Sequence, residues 1–349
     1  MKMLLTALAA LTLASPAAAG YRFVTVNGTG PATIGTVVTS INDAGLATGY
    51  VITADPSVPA GALGDYTAFT VHADGSGFTA FTRPGFAQTG AAGINNAGDI
   101  TGVSITAGNT GNGFVRSGTT GAYTDIVPTF PGAYYSEAIG INNSGAVTGY
   151  YVTDPAATVA TLTQYAHGFV SLGGAYIAVD VPSAAGHGTQ VTAINDSGII
   201  TGSYYDNGDG LSHPFVGLYD PTTNDFNLTP VPDLFGSPSA SLGNITNNLL
   251  TTYNALYPTL ASPTGFVAAA FVIDLGGGGL TPLNKPGSFF TDVFGINQTG
   301  QVTGFYLDPT GAHGFIATPV PEPAAWTLMI AGFGLVGVAA RRRPAAVTA

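Results

Sequence analysis

The chain has 349 residues, of which 45% are apolar and only 8% charged, with a formal net charge of −11 and no cysteine. That length allows one large domain or two ordinary ones, and the apolar content supports a sizeable core. The missing cysteines exclude a disulfide framework, a thiolate metal site and a cysteine nucleophile, and so acidic a chain would repel phosphate backbones, which argues against nucleic acid as a partner.

At the N-terminus, Lys2 precedes an apolar run from Met3 to Leu13, followed by Ser15, Pro16 and Ala17-Ala18-Ala19. A basic start, an apolar run and an A-x-A site made by Ala17 and Ala19 ahead of Gly20 predict a signal peptide over residues 1–19, removed by signal peptidase. The alternative, a buried N-terminal helix, suits the run less well, because it is short and ends at a helix-breaking proline.

Residues 20–318 are rich in Gly, Thr, Ser, Asn and aromatics, which favour short strands and tight turns over helices. A motif recurs through them: Ser40-Ile41-Asn42-Asp43-Ala44-Gly45, Gly93-Ile94-Asn95-Asn96-Ala97-Gly98, Gly140-Ile141-Asn142-Asn143-Ser144-Gly145, Ala193-Ile194-Asn195-Asp196-Ser197-Gly198 and Gly295-Ile296-Asn297-Gln298-Thr299-Gly300. Each copy leads into a Thr-Gly pair: Thr48-Gly49, Thr101-Gly102, Thr148-Gly149, Thr201-Gly202 and Thr303-Gly304. The asparagines fall at 42, 95, 142, 195 and 297, so the last interval is two periods, and a degenerate copy, Asn244-Ile245-Thr246-Asn247-Asn248, fills it. The asparagine side chain can bond the backbone two residues on, and the glycine supplies the left-handed residue that closes a hairpin. The degenerate copy lacks that glycine, which predicts a longer or distorted hairpin.

A second motif follows each hairpin: Gly113-Phe114-Val115, His167-Gly168-Phe169-Val170, His213-Pro214-Phe215-Val216, Gly265-Phe266-Val267 and His313-Gly314-Phe315-Ile316, with Ala68-Phe69-Thr70 in the first repeat. A third is an aromatic-led strand ending near proline, as in Phe78 to Pro84, Tyr123 to Pro128, Tyr176 to Pro182 and Phe226 to Pro232. Four short strands per period of about 50 residues predict an all-β, six-bladed β-propeller. Tyr21 to Val26 is left over before the first hairpin and Phe315 to Thr318 after the last, so the first strand is expected to complete the sixth blade and leave no free edge. A parallel β-solenoid is the alternative, though its period is normally shorter. The repeats resemble the HAF-type repeats of extracellular bacterial proteins, which implies a propeller-like body without assigning an activity.

Within the body, His167, His213 and His313 share one repeat position, and such positions can converge on a propeller axis as metal ligands; a repeated structural hydrogen bond is the plainer reading. His187 lies outside the pattern in a Gly-rich loop. Asp206-Asn207-Gly208-Asp209-Gly210 places oxygen ligands at alternate positions as calcium loops do, making Asp206 and Asp209 a Ca²⁺ candidate, but the bidentate Glu of an EF-hand is missing. Asp154, Asp206 and Asp308 fall on corresponding loops. Glu137 and Glu322 are the only glutamates, and no catalytic constellation or phosphate-cradling loop is recognisable.

The chain ends in Val320-Pro321-Glu322-Pro323-Ala324-Ala325-Trp326, an apolar Gly-containing stretch to Ala340, and Arg341-Arg342-Arg343. Residues 324–340 reach the lower limit for a transmembrane helix, and the arginines orient it with the body outside the cytoplasm. Pro321-Glu322-Pro323, the short Gly-rich span and Arg341 to Arg343 resemble the PEP-CTERM sorting signal. The same tail is also labelled an ice-binding protein C-terminal domain, a label that concerns the tail and not the body. The resemblance implies recognition by an exosortase after passage as an inner-membrane-anchored intermediate, and delivery to the surface or extracellular matrix of a Gram-negative bacterium that makes exopolysaccharide. Together these features predict a signal peptide (1–19), a propeller domain (20–318) and a sorting tail (319–349) in an exported, non-catalytic surface protein that binds or structures exopolysaccharide. The alternatives are a secreted polysaccharide hydrolase or lyase with an Asp-based site in the propeller funnel, and a passive coat component without ligand.

Overall fold

The computed structural model describes residues 20–320, apart from 31, 55–63, 109, 158–160, 183–187, 207, 235–236 and 259–265. The signal segment through Ala19 and the tail from Pro321, with its expected helix at 324–340, lie outside the described residues. Among the described residues, strands make up almost all of the regular structure, and the single helical element is a 3₁₀ turn at Leu162–Tyr165.

After a first strand β1 (Gly20–Val26), the chain runs through antiparallel meanders, each strand pairing with the next. The first holds β2 (Thr33–Ile41), β3 (Leu46–Thr53), β4 (Asp65–His72) and β5 (Thr79–Phe81); the second β6 (Gln88–Ile94), β7 (Ile100–Ile105), β8 (Gly111–Arg116) and β9 (Tyr123–Ile126). The third holds β10 (Tyr135–Ile141), β11 (Val147–Val152), β12 (Ala166–Leu172) and β13 (Ala175–Val179); the fourth β14 (Thr189–Ile194), β15 (Ile199–Asp206), β16 (Leu211–Asp220) and β17 (Asp225–Pro230). The fifth holds β18 (Ser239–Ile245), β19 (Leu250–Pro258), β20 (Phe266–Asp274) and β21 (Leu280–Pro282), and the described residues close with β22 (Phe290–Ile296), β23 (Val302–Asp308) and β24 (Gly311–Val320).

The arrangement is a β-propeller. Its first strands form a closed ring of packing contacts, β2 on β6, β6 on β10, β10 on β14, β14 on β18, β18 on β22 and β22 on β2. The antiparallel pairing excludes a parallel solenoid. Six separate blades are not what is found. Four four-stranded sheets stand alone, and the remaining strands form one eight-stranded sheet, because a parallel bridge between Gly35 and Ala312 joins β2 to β24. Within that sheet β1 lies antiparallel to β24 along its whole length, from Gly20 opposite Val320 to Val26 opposite Gly314. The leftover first strand is therefore held against the last.

The repeated motifs acquire physical reasons in this frame. In five repeats the Thr-Gly glycine lies directly opposite the motif phenylalanine: Gly49 and Phe69, Gly102 and Phe114, Gly149 and Phe169, Gly202 and Phe215, Gly304 and Phe315. The five phenylalanines are fully buried. A Cβ on Gly149 would meet the Glu137 carbonyl and the Phe169 ring, so only glycine allows the first two strands to close over the phenylalanine. In the fifth repeat the register corrects the motif assignment: Phe271, not Phe266, takes the phenylalanine position, opposite a fully buried Tyr253 that replaces the glycine. Threonine hydroxyls then stitch one repeat to the next, Thr101 Oγ1 donating to the Ile139 carbonyl at 2.7 Å and Thr201 Oγ1 to the Gly243 carbonyl at 2.7 Å. Core clusters sit between successive sheets, as where Val170, Val179 and Val181 meet Val191, Ile200 and Phe215.

Candidate functional site in the central channel

The Ile-Asn turns gather at one end of the propeller axis. Each asparagine Oδ1 accepts from backbone N–H groups two and four residues on; for Asn195 these are Ser197 at 3.0 Å and Ile199 at 3.0 Å. Each Nδ2 reaches into the neighbouring turn. Asn42 donates to the Asn95 carbonyl, Asn95 to Asn142, Asn142 to Asn195, Asn195 to Thr246, and Asn297 to Asn42, at 2.9–3.3 Å. All these asparagines are buried, and the chain of bonds runs around the axis with one gap. At the gap Thr246 stands where an amide is needed. The degenerate turn is otherwise undistorted: Thr246 Oγ1 accepts from Leu250 N at 3.0 Å, and Leu249 takes the glycine position at φ 64°, so the expected lengthening does not occur.

A second ring, outside the first, uses the next residue of each turn. Asn96 exchanges bonds with Asp43, while Asn143 and Asn247 both donate to Asp196 Oδ2, at 2.8 and 2.7 Å. Burial works against the Asp196 charge, but the Asn247 and Asn143 bonds prevail and hold its carboxyl below the usual aspartate range. The turns enclose a cavity of about 70 Å³ lined by all six repeats, far below the roughly 300 Å³ at which ligand pockets begin. This end of the channel is a structural plug, and the turn residues Asn42, Gly45, Asn95, Gly98, Asn142, Gly145, Asn195, Gly198, Asn297 and Gly300 belong to it.

The other end is different in chemistry. Five residues before Asn142, roughly 15 Å up the same strand, is Glu137, and at the matching place on β22 is Asp292. The equivalent positions elsewhere hold Val37, Gly90, Gln190 and Ser241. Glu137 Oε2 accepts from the Tyr150 hydroxyl at 2.8 Å, and the Tyr150 and Tyr135 rings stack at 6.1 Å. Tyr50 meets Tyr66 edge-on at 5.2 Å. Burial raises the Tyr50 phenol well above its usual range, helped by the charges of Tyr66, Glu137 and Asp292, so groups from β3, β4, β10 and β22 share one electrostatic neighbourhood. Burial likewise raises the Glu137 carboxyl, against the Tyr150 bond. Asp292 is only partly buried as a residue, yet its Oδ1 is sealed without a hydrogen-bond partner, and burial, against a bond from the Val293 backbone, pushes its carboxyl up to about 7. The repeat alignment brings out these two acids only once the channel positions are known, since each stands alone in its own motif.

The other predicted site residues remain local. His167, His213 and His313 do not converge. Each packs its ring against a tyrosine of the adjacent strand (Tyr151, Tyr204 and Tyr306) and bonds through Nδ1 to Asp180, Asp233 or Asn27 at 2.8–3.1 Å. Asp206 Oδ1 accepts from Gly208 N within its own loop, and Asp209 bonds Leu211 N and His213 Nε2. Asp154 and Asp308 likewise cap their own turns, at Ala156 N and Thr310 N. Among the described residues no three His, Asp or Glu side chains are grouped to hold a metal. His187 and the tail residues Pro321, Glu322, Pro323, Arg341, Arg342 and Arg343 lie outside the described residues, as do Ala17 and Ala19; Gly20 opens β1.

The family model of the PEP-CTERM protein-sorting motif matches residues 319–343, beginning inside β24 at Pro319. The chain carries a PEP-CTERM sorting motif. The motif marks an exported protein sorted to the surface of a Gram-negative bacterium by an exosortase. No curated protein matches the sequence. Among solved structures, TolB from Acinetobacter baumannii is similar at 11% identity and a TM-score of 0.45, over 80% of this chain and 64% of that one, so this chain spans under two thirds of it. The β-propeller domain of the Trilobed protease from Pyrococcus furiosus is similar at 9% identity and a TM-score of 0.44, over 83% and 97% of the two chains. The Aleuria aurantia lectin, solved with alpha-methyl-L-fucoside, is similar at 12% identity and a TM-score of 0.44, over 84% and 99%.

Proposed function

We propose that the mature protein, starting at Gly20, is a non-catalytic surface or matrix component that binds or structures exopolysaccharide. The observation that carries this reading is the sorting motif, which runs on from the last strand of the propeller. The ring of asparagine bonds around the axis supports counting the eight-stranded sheet as two blades fused at the Gly35–Ala312 bridge, giving six repeats about one channel. In this reading a helix at 324–340 holds the chain in the membrane until exosortase removes it.

The test is co-sedimentation of the processed protein, purified from its native host, with that host's exopolysaccharide, with and without EDTA. Saturable binding is expected. Loss in EDTA would assign calcium to the loop of Asp206 and Asp209. Absence of binding by the folded protein would sink the matrix reading. A second reading, a polysaccharide hydrolase or lyase, is favoured by one observation: a carboxyl near neutrality in the channel, Asp292, is suited to proton transfer. Release of reducing ends or unsaturated products from the same polymer, abolished in Asp292→Asn, would establish it.

A further inference from the structure

In a repeat fold, equivalent positions have equivalent structural duties, so a departure from the common residue is informative. The channel position of the first strand accepts Val37, Gly90, Gln190 and Ser241, none of them charged. Two repeats instead place a carboxylate there, Glu137 and Asp292. Glu137 is the only glutamate of the propeller body. Burying a carboxylate without a cation costs several kcal/mol, and the basic side chains of the body are engaged elsewhere. Arg22 is exposed on β1. Arg83 pairs with Asp125 at 2.7 Å, Arg116 lies over Phe81, and Lys285 lies over Tyr306 and donates to the Pro286 carbonyl. No cation of the body therefore reaches these carboxyls, and Asp292 Oδ1 is buried without a hydrogen-bond partner, the Val293 backbone N–H being the donor recorded for the carboxyl.

The surroundings restrict what could compensate it. Tyr50, Tyr66, Tyr135 and Tyr150 supply aromatic faces and edges around Glu137, and Tyr50 also feels Asp292. A metal ion is poorly served, because no third carboxylate or histidine joins the pair among the described residues. An organic ammonium is well served. It gains from ring faces by cation–π attraction and from carboxylates by charge-assisted hydrogen bonds. The lining is only partly buried at Tyr50, Tyr66, Tyr135, Glu137 and Asp292, and at Gly90, on β6 between β3 and β10, a Cβ would meet only Val103 Cγ1, at 3.8 Å.

We propose that the end of the channel opposite the asparagine plug is a binding site for an ammonium group carried on a matrix polymer, an amino sugar, with Glu137 and Asp292 as its counter-charges and the four tyrosines as its cage. The proposal rests on the matrix-binding reading and names the chemistry the polymer must carry. The experiment is calorimetric titration of the processed protein with a glucosamine tetramer and with its fully N-acetylated counterpart, at pH 7, beside co-sedimentation with native exopolysaccharide. The glucosamine tetramer is expected to bind at least tenfold more tightly than the acetylated one. E137Q and D292N are each expected to weaken it about tenfold. G90Q, which installs the side chain already accepted at Gln190, is expected to block the site while both acids remain. Equal binding of the two tetramers, or undiminished binding by E137Q and D292N, would overturn the proposal. Failure of the glucosamine tetramer to bind while native polymer still co-sediments overturns this site alone, whereas loss of both overturns the matrix reading beneath it.

Discussion

Asp292 shows what a single channel residue does to the energetics of the whole. Its carboxyl titrates near 7 in the folded protein, against 3.8 for an exposed aspartate. Between those values the unfolded chain has released the proton and the folded chain still holds it. Stability therefore falls as pH rises from about 4 to about 7 and stays at its lower level above that. Every tenfold difference in proton affinity between the two states corresponds to about 1.4 kcal/mol, and since the residue is only partly buried, roughly 4 kcal/mol is an upper bound. Asp292→Asn is expected to be more stable than the parent at pH 8, with the difference vanishing as pH approaches 4. Urea denaturation across that range checks it, and a parent curve that rises with pH through this window would contradict the assignment. Neither Asp292 nor Glu137 was marked by its own local motif as a site residue. The two acids are linked only through Tyr50, which feels both once the ring has closed, and closure leaves no trace in local spacing.

At the scale of the element, the Ile-Asn turn was the most legible part of the sequence, because everything that forms it is local. An asparagine Oδ1 bonds amides two and four residues away, and a glycine at φ 77–80° closes the hairpin in five repeats. The Nδ2 bond to the next turn was not legible, since it depends on a neighbour about 50 residues away. The fifth repeat shows both limits. Its missing glycine suggested distortion, yet the turn holds with Leu249 in the left-handed region, where a branched side chain is disfavoured by about 1–2 kcal/mol. Its Phe266 suggested the repeated phenylalanine position, yet pairing slides Phe271 there because Tyr253 occupies the space of a glycine. Thr246→Asn should supply the absent amide to the Asn297 carbonyl and stabilise the protein by about 0.5–1.5 kcal/mol. Asn142→Ala, which removes the bonds to Asn195 O, Ser144 N and Ala146 N from a buried position, should destabilise it by about 2–4 kcal/mol. Thermal unfolding of the two variants measures both, and a Thr246→Asn protein that melts below the parent would show that the gap in the ring is not simply a missing donor.

For the molecule as a whole, closure rests on the ladder between β1 and β24. Phe23 packs on Phe315 at 5.3 Å across that seam, and Thr25 Oγ1 meets the Tyr306 hydroxyl at 3.1 Å. Removing residues 20–26 leaves one long edge of β24 unpaired beside exposed apolar side chains, a template for pairing with a second molecule. A chain without β1 is expected to lose stability and to elute as dimers or larger species in size-exclusion chromatography. A monomeric, equally stable truncation would show that the seam is dispensable. The propeller class was legible because the repeat states it. The fusion of the first and last meanders was not, because a single bridge between Gly35 and Ala312 decides it.

The pairing of Gly20 with Val320 means that the backbone is a loop with one nick in it. The nick need not lie there for the fold to stand. A circular permutant that joins residue 320 to residue 20 through a short linker, and opens at the exposed turn Pro221–Asn224 between β16 and β17, preserves every ladder described above and should fold to the same propeller. What the permutant loses is delivery: its propeller would no longer hand the chain, at the end of its closing strand, to the sorting motif.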